Sequence, residues 1–170
     1  PLFIWTSMTV KHFPKNLHGK DYIIGDLHGH IDVLYEVLDR VHFNPATDRV
    51  FSTGDLIDRG PHNLECLALL EYQWFESVKG NHEQFFEHSH QKFVRTCWYR
   101  NGGAWAYDHY GSDEFEALKI MVTELPTAIV VGTGSDRFNI IHAQPHHHFG
   151  RMDDGVFDTI PFPELEADVM

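Results

Sequence analysis

Apolar positions along the chain recur with two different periods, and each change of period marks an element. Asp21 to Gly25 (DYIIG) is a short, β-branched run followed at once by the polar cluster Asp26-Leu27-His28-Gly29-His30. Ile31, Leu34, Leu38 and Val41 then fall at helical spacing. The unit repeats. Arg49 to Gly54 (RVFSTG) leads into Asp55-Leu56-Ile57-Asp58-Arg59-Gly60, with Pro61 where a helix start favours proline and Leu64, Leu67 and Ala68 as an apolar face. Glu76 to Gly80 (ESVKG) leads into Asn81-His82-Glu83, and Phe85, Phe86 and Phe93 mark the next helix. Three strand, polar loop and helix units in succession predict the α/β class, a layered and largely parallel core.

From about Thr96 to Glu124 the pattern is helical again, with Phe115, Leu118 and Val122 on one face, Asn101-Gly102-Gly103 as a break and Pro126 as the end. A further β-run, Arg137 to Ile141, delivers His142. From Gln144 onward the chain reads as loop, with three prolines and scattered acids. No repeat or Gly/Ser/Pro-rich linker divides it, so 170 residues read as one domain over 21–170 behind an extension, 1–20.

Composition narrows the classes. The chain carries 13 Lys and Arg against 25 Asp and Glu, a net charge of −12, the opposite of what a strongly basic nucleic-acid binder needs, although a local basic patch stays open. With 42% hydrophobic and 14% aromatic residues it can bury a real core, which excludes global disorder. Two cysteines, Cys66 and Cys97, without CxxC spacing exclude a disulfide scaffold. The apolar stretch Leu125 to Val131 is far too short to span a bilayer, so no membrane segment is expected. The amino terminus has no basic region of the secretory type, which places the protein in the cytoplasm; residues 1 to 7 carry no functional weight.

The surplus is in imidazoles, 14 of them, beside the carboxylates. In open α/β sheets the loops at the carboxyl ends of the strands converge on one crevice. Asp26, His28, Asp55, Asn81, His82 and His142 each stand just after a β-run, so four segments would aim metal-compatible side chains at one place. Carboxylate, imidazole and amide oxygen form a mixed oxygen and nitrogen set that suits manganese, iron or zinc. A two-metal site needs a bridging carboxylate, and Asp55, from the middle unit, is placed for that. Glycines at 25, 29, 54, 60 and 80 allow tight turns around the cluster. Taken singly, Asp26 or Asp55 would read as a helix N-cap, Asp58 and Arg59 as a surface ion pair, and His82 as a structural imidazole. Glu83 reads as stabilising the start of its helix, and Trp98, Tyr99, Trp105 and Tyr107 as core. His30, His88, His90, His109 and the run His146 to His148 read as solvated or rim histidines.

The strings GDLHG (25–29), GDLIDRG (54–60) and GNHE (80–83), in this order, resemble the signature of the calcineurin-like metallophosphoesterases, in the phosphoprotein phosphatase family. The segment 63–84, the NGG at 101–103, the ELP at 124–126 and the His-Ala at 142–143 extend the resemblance to the group of the bacteriophage lambda protein phosphatase and its bacterial relatives. It implies a central β-sandwich flanked by helices and two divalent metal ions, manganese first, with iron or zinc as alternatives. Asp26 and His28 would bind the first ion, Asp55 would bridge, and Asn81 and His142 would bind the second. His82 would be the general acid, oriented by Asp58, and Arg59 would grip the phosphate. Such an enzyme hydrolyses phosphomonoesters of serine and threonine in proteins or peptides by attack of a metal-bridging hydroxide. A dinucleoside polyphosphate hydrolase of the same superfamily, or a catalytically silent phosphate-binding module, are the alternatives. The family pattern carries another metal-binding histidine and usually a second phosphate-binding arginine downstream of the His142 position. This chain contains neither segment, so the domain reads as incomplete at its carboxyl end.

Overall fold

The computed structural model describes residues 9 to 143. The run His146 to His148, the loop-like stretch from Gln144 and residues 1 to 7 lie outside the described residues. Among the described residues, six strands and five α-helices follow in chain order: β1 (Val10–Phe13), β2 (Asp21–Ile24), α1 (Ile31–Arg40), β3 (Arg49–Ser52), α2 (Asn63–Ala68), β4 (Phe75–Ser77), α3 (Asn81–Glu87), α4 (Lys92–Arg100), α5 (Asp113–Thr123), β5 (Ala128–Val131) and β6 (Phe138–Ile141).

The strands form two three-stranded sheets. The first, β2-β3-β4, is parallel throughout, as the three repeated units require. The second has the order β1-β5-β6, with β1 parallel and β6 antiparallel to β5. Strand alternation sorts the core. Val50 faces a large cluster with helix residues such as Leu38, Leu67, Phe86, Trp98 and Phe115, whereas its neighbour Phe51 faces Val78, Ile129, Val131 and Ile140. The second cluster is the filling of a sandwich between the two sheets, and Phe13 meets Phe51 edge-on across it at 5.2 Å. Among the described residues, every helix side chain in a buried cluster belongs to the first cluster, on the outer face of β2-β3-β4.

Several expected elements shift. The stretch 96–124 divides into α4, a 3-10 turn at Gly103–Asp108 and α5, which Ser112 caps by accepting from the Phe115 N–H at 3.2 Å. The helix expected after Asn81 is two helices, α3 and α4, and Phe93 does not share its core face but stands 80% exposed. β1 lies ahead of Asp21, inside the expected extension, and pairs with β5. Among the described residues no helix is long and apolar enough to cross a membrane.

Candidate metal centre

The loops after β2 and β3 are tied to each other by backbone bonds before any side chain enters. The N–H groups of Leu27 and His28 both donate to the Asp55 carbonyl, at 3.1 and 2.9 Å, and the Gly29 N–H donates to the Leu56 carbonyl at 2.8 Å. Gly54 and Gly80 then touch so closely that a Cβ on Gly54 would come within 2.7 Å of the Gly80 nitrogen, and Gly54 has φ +96. Four of the five non-glycine residues with left-handed φ among the described residues stand in these loops: His28, Asp55, Asp58 and Arg59. Backbone held in that sparsely populated region clusters at functional sites.

Glu83 locks the arrangement. Its carboxylate, fully buried, accepts from the N–H groups of Asp55, Leu56 and Gly80, each at 2.8 Å. The expected role at its helix start is present in the bond from Gly80, but the bonds from Asp55 and Leu56 show that it also holds the neighbouring loop. Burial and the nearby charge of Asp55 push the Glu83 carboxyl up to about 7, against the three N–H groups that favour the anion.

Asp55 is the centre. One of its oxygens, Oδ2, lies 3.9 Å from His28 Nε2, which itself is 3.8 Å from Asp26. The other, Oδ1, lies 3.6 Å from His142 Nε2, which meets the Asn81 side-chain oxygen at 3.0 Å. The two oxygens of one carboxylate thus face two separate sets of donors. Both histidines are held in the same way: Nδ1–H donates to a backbone carbonyl, Ile57 for His28 at 2.9 Å and Thr53 for His142 at 2.8 Å, and Nε2 faces the cluster. A carbonyl only accepts, so the proton sits on Nδ1, and this is how an imidazole is oriented and made basic for a metal. Asp55 is 4% exposed and Asp26 half exposed, so the site runs from a buried carboxylate to an open face. These donors fit a divalent ion of the borderline class. His28, Asp55 and His82 offer ligand atoms all within 4.8 Å of one another.

His82 is held differently. Its Nδ1 donates to Asp58 Oδ2 at 2.5 Å, and its ring stands edge-on to His28 at a centroid distance of 4.9 Å. Burial pushes the imidazolium down, but the hydrogen bond to Asp58 and the charges of Asp55 and Asp58 outweigh it, so the His82 pKa lies above its ordinary value of 6.5. Asp58 is wholly buried, and it is no surface partner of Arg59. Its remaining bonds come from two indoles: Trp98 Nε1–H donates to Oδ2 at 2.6 Å and Trp105 Nε1–H to Oδ1 at 2.7 Å. Trp98 is buried core, as expected, while Trp105 and Tyr99 pack only partly buried against it and Tyr107 stands 73% exposed; the polar tip of each tryptophan serves the site. The available signal was that a buried indole needs an acceptor.

Arg59 reaches over the cluster, donating from Nη1 to His28 Nε2 at 2.7 Å and from Nη2 to His82 Nε2 at 3.2 Å. Gly102, at φ +111, lets its turn approach: a Cβ there would lie 2.9 Å from both the nitrogen and the Cγ of Arg59. All eight residues expected in the site, Asp26, His28, Asp55, Asp58, Arg59, Asn81, His82 and His142, are therefore joined by contacts of 3.9 Å or less.

Residues 22–163 match the family described as calcineurin-like phosphoesterase. The chain belongs to that family. It is 39% identical over 131 residues to serine/threonine-protein phosphatase 2 of Salmonella typhimurium, covering 76% of this chain and 60% of that relative. It is also 45% identical over 64 residues to a symmetrical bis(5'-nucleosyl)-tetraphosphatase of Actinobacillus succinogenes, covering 36% and 23% of the two chains. A solved structure of a candidate diadenosine tetraphosphatase aligns with a TM-score of 0.56 at 26% identity, over 74% of this chain and 50% of that one. This calcineurin-like phosphoesterase chain spans less than two thirds of the length of those relatives.

Proposed function

We propose that the chain carries the core of a metal-dependent protein phosphatase acting on phosphoserine and phosphothreonine. The observation that carries the reading is the division of Asp55, with Oδ2 toward His28 and Asp26 and Oδ1 toward His142 and Asn81. On this reading Asp26, His28 and Asp55 hold one divalent ion and Asp55, Asn81 and His142 a second, manganese first, with iron or zinc as alternatives. Two such ions, when bound, would supply a hydroxide nucleophile near neutral pH and polarise the phosphoryl oxygens. Arg59 offers a planar fork that matches two phosphate oxygens, which a lysine does not reproduce. His82, clamped through Nδ1 by Asp58, would as an imidazolium give the Nε2 proton to the departing alkoxide once Arg59 has turned from that nitrogen to the phosphate, a contribution typically of about 10²- to 10⁴-fold.

The 39% identity to a serine/threonine phosphatase over most of this chain favours phosphoprotein substrates. The match to the tetraphosphatase favours a second reading, hydrolysis of a phosphoanhydride in a dinucleoside polyphosphate, for which the same ligands would serve. Phosphate release from a phosphoserine peptide, set against hydrolysis of diadenosine tetraphosphate, separates the two. Hydrolysis of p-nitrophenyl phosphate that needs Mn²⁺ and is lost in His82→Asn supports the enzyme. Absence of turnover with every substrate leaves a silent phosphate-binding module, and unchanged activity in His82→Asn refutes the proton-donor role.

A further inference from the structure

At the opposite end of the first sheet, where β2 and β4 begin, lies a surface cavity of about 280 Å³ lined by Tyr35, Phe43, Pro45 and Trp74, with Asp39 and His42 also contributing. Its place follows from the strands: Tyr22, the second residue of β2, meets Phe43, and Trp74 immediately precedes β4. The site loops leave the other ends of the same parallel strands.

Its aromatic part is braced. Phe43 meets Trp74 edge-on at 5.2 Å and Tyr22 at 5.8 Å, and Tyr72 stacks on Trp74 at 5.3 Å with 23° between the planes. Such contacts set the rings before any ligand arrives. Asp39 is exposed, and its carboxylate has no hydrogen bond or ion pair among the described residues. The neighbouring cation, Arg40, is committed to Glu36 at 2.5 Å. An apolar side chain entering this cavity would strip water from Asp39 and return nothing to it. A cation would satisfy the carboxylate and the negative faces of the rings together. The space exceeds several times the roughly 30 Å³ share of one water in the liquid, so it admits a side-chain head.

We propose that this cavity is a docking pocket for a basic side chain, arginine before lysine, of a protein partner. Arginine is preferred because its flat guanidinium both stacks on rings and pairs with a carboxylate. The chain's net charge of −12 draws basic partners toward it. The pocket lies away from the metal centre, so a partner held there leaves the phosphoryl site open.

The test uses the purified chain and two peptides, a Gly/Ser decapeptide with one central arginine and the same peptide with citrulline, which keeps the shape and removes the charge. Chemical shifts of the Trp74 indole N–H follow binding. The arginine peptide is expected to shift that signal and to bind about two- to fivefold more tightly than the citrulline peptide, the range that a cation over aromatic rings provides at a surface site. Asp39→Asn, an exposed change that leaves the fold intact, is expected to lower that affinity by about two- to fivefold, and Trp74→Phe to weaken it less. Equal binding of the two peptides, equal binding by Asp39→Asn, or shifts confined to the site loops would overturn the proposal. Shifts that depend on protein concentration without peptide would instead make the face a contact between copies of this chain, and would overturn it too.

Discussion

Replacing Trp105 by phenylalanine removes one N–H and keeps most of the ring. Asp58 Oδ1 accepts from Trp105 at 2.7 Å, while its other oxygen is taken by His82 and Trp98. Asp58 is 0% exposed, so the lost donor leaves Oδ1 with little access to water. A hydrogen bond to a charged group contributes roughly 1.5–3 kcal/mol, and the smaller ring adds about 1 kcal/mol of lost packing. Trp105→Phe should therefore cost about 2–4 kcal/mol, which lowers Tm by roughly 5–15 °C in a chain of this size. The same substitution made in an Asp58→Ala background should cost only the packing part, because the bond has no acceptor there. Thermal and urea unfolding of the four proteins of this cycle gives a coupling of about 1.5–3 kcal/mol if the indole serves the carboxylate. A coupling below about 0.5 kcal/mol would refute the reasoning and leave Trp105 as ordinary core.

The two thiols should separate cleanly. Burial pushes the Cys66 thiol up to about 12, whereas Cys97 is only half-buried, so a thiol reagent at pH 8 should label one cysteine in the folded protein and two after denaturation; two rapid equivalents in the folded state would contradict this. Asp48 accepts from the backbone N–H groups of Asn44 and Lys20, which hold its carboxyl below the ordinary 3.8. A lowered folded value means that its stabilisation is full above about pH 4 and is lost as pH falls through that value. The Tm difference between the protein and Asp48→Asn should accordingly be larger at pH 6 than at pH 3, and a constant difference would show that the charge plays no part.

The site was more legible than the scaffold around it, for reasons that lie in particular residues. Asp26, Asp55 and Asn81 follow β-runs of the parallel sheet β2-β3-β4, which brings such residues to one edge, whereas His142 arrives from the end of β6, antiparallel to β5 in the second sheet. β1 escaped notice because Lys11 and His12 interrupt its apolar ends, leaving no alternation to read. β5 escaped because AIVV is buried throughout, and an unbroken apolar run has no period that distinguishes strand from helix. Phe93 misled because an apolar residue one turn from a core face looks like part of it until the break between α3 and α4 rotates it outward. The bonds from Trp98 and Trp105 to Asp58 span 40 and 47 residues, a separation at which spacing conveys nothing. Glu83 was visible as a helix-start residue, but its hold on Asp55 and Leu56 required the approach of Gly54 to Gly80, which only the folded chain shows.

The claim on which the account rests is that Asp55 serves two ions at once. Metal content of the purified chain after equilibration with Mn²⁺, compared with Asp55→Asn and His142→Ala, addresses it directly. The account predicts about two equivalents in the unaltered chain, about one in His142→Ala, and loss of both in Asp55→Asn, since one carboxylate supplies an oxygen to each. An unaltered chain that holds no metal, or an Asp55→Asn protein that still holds two ions, would contradict it.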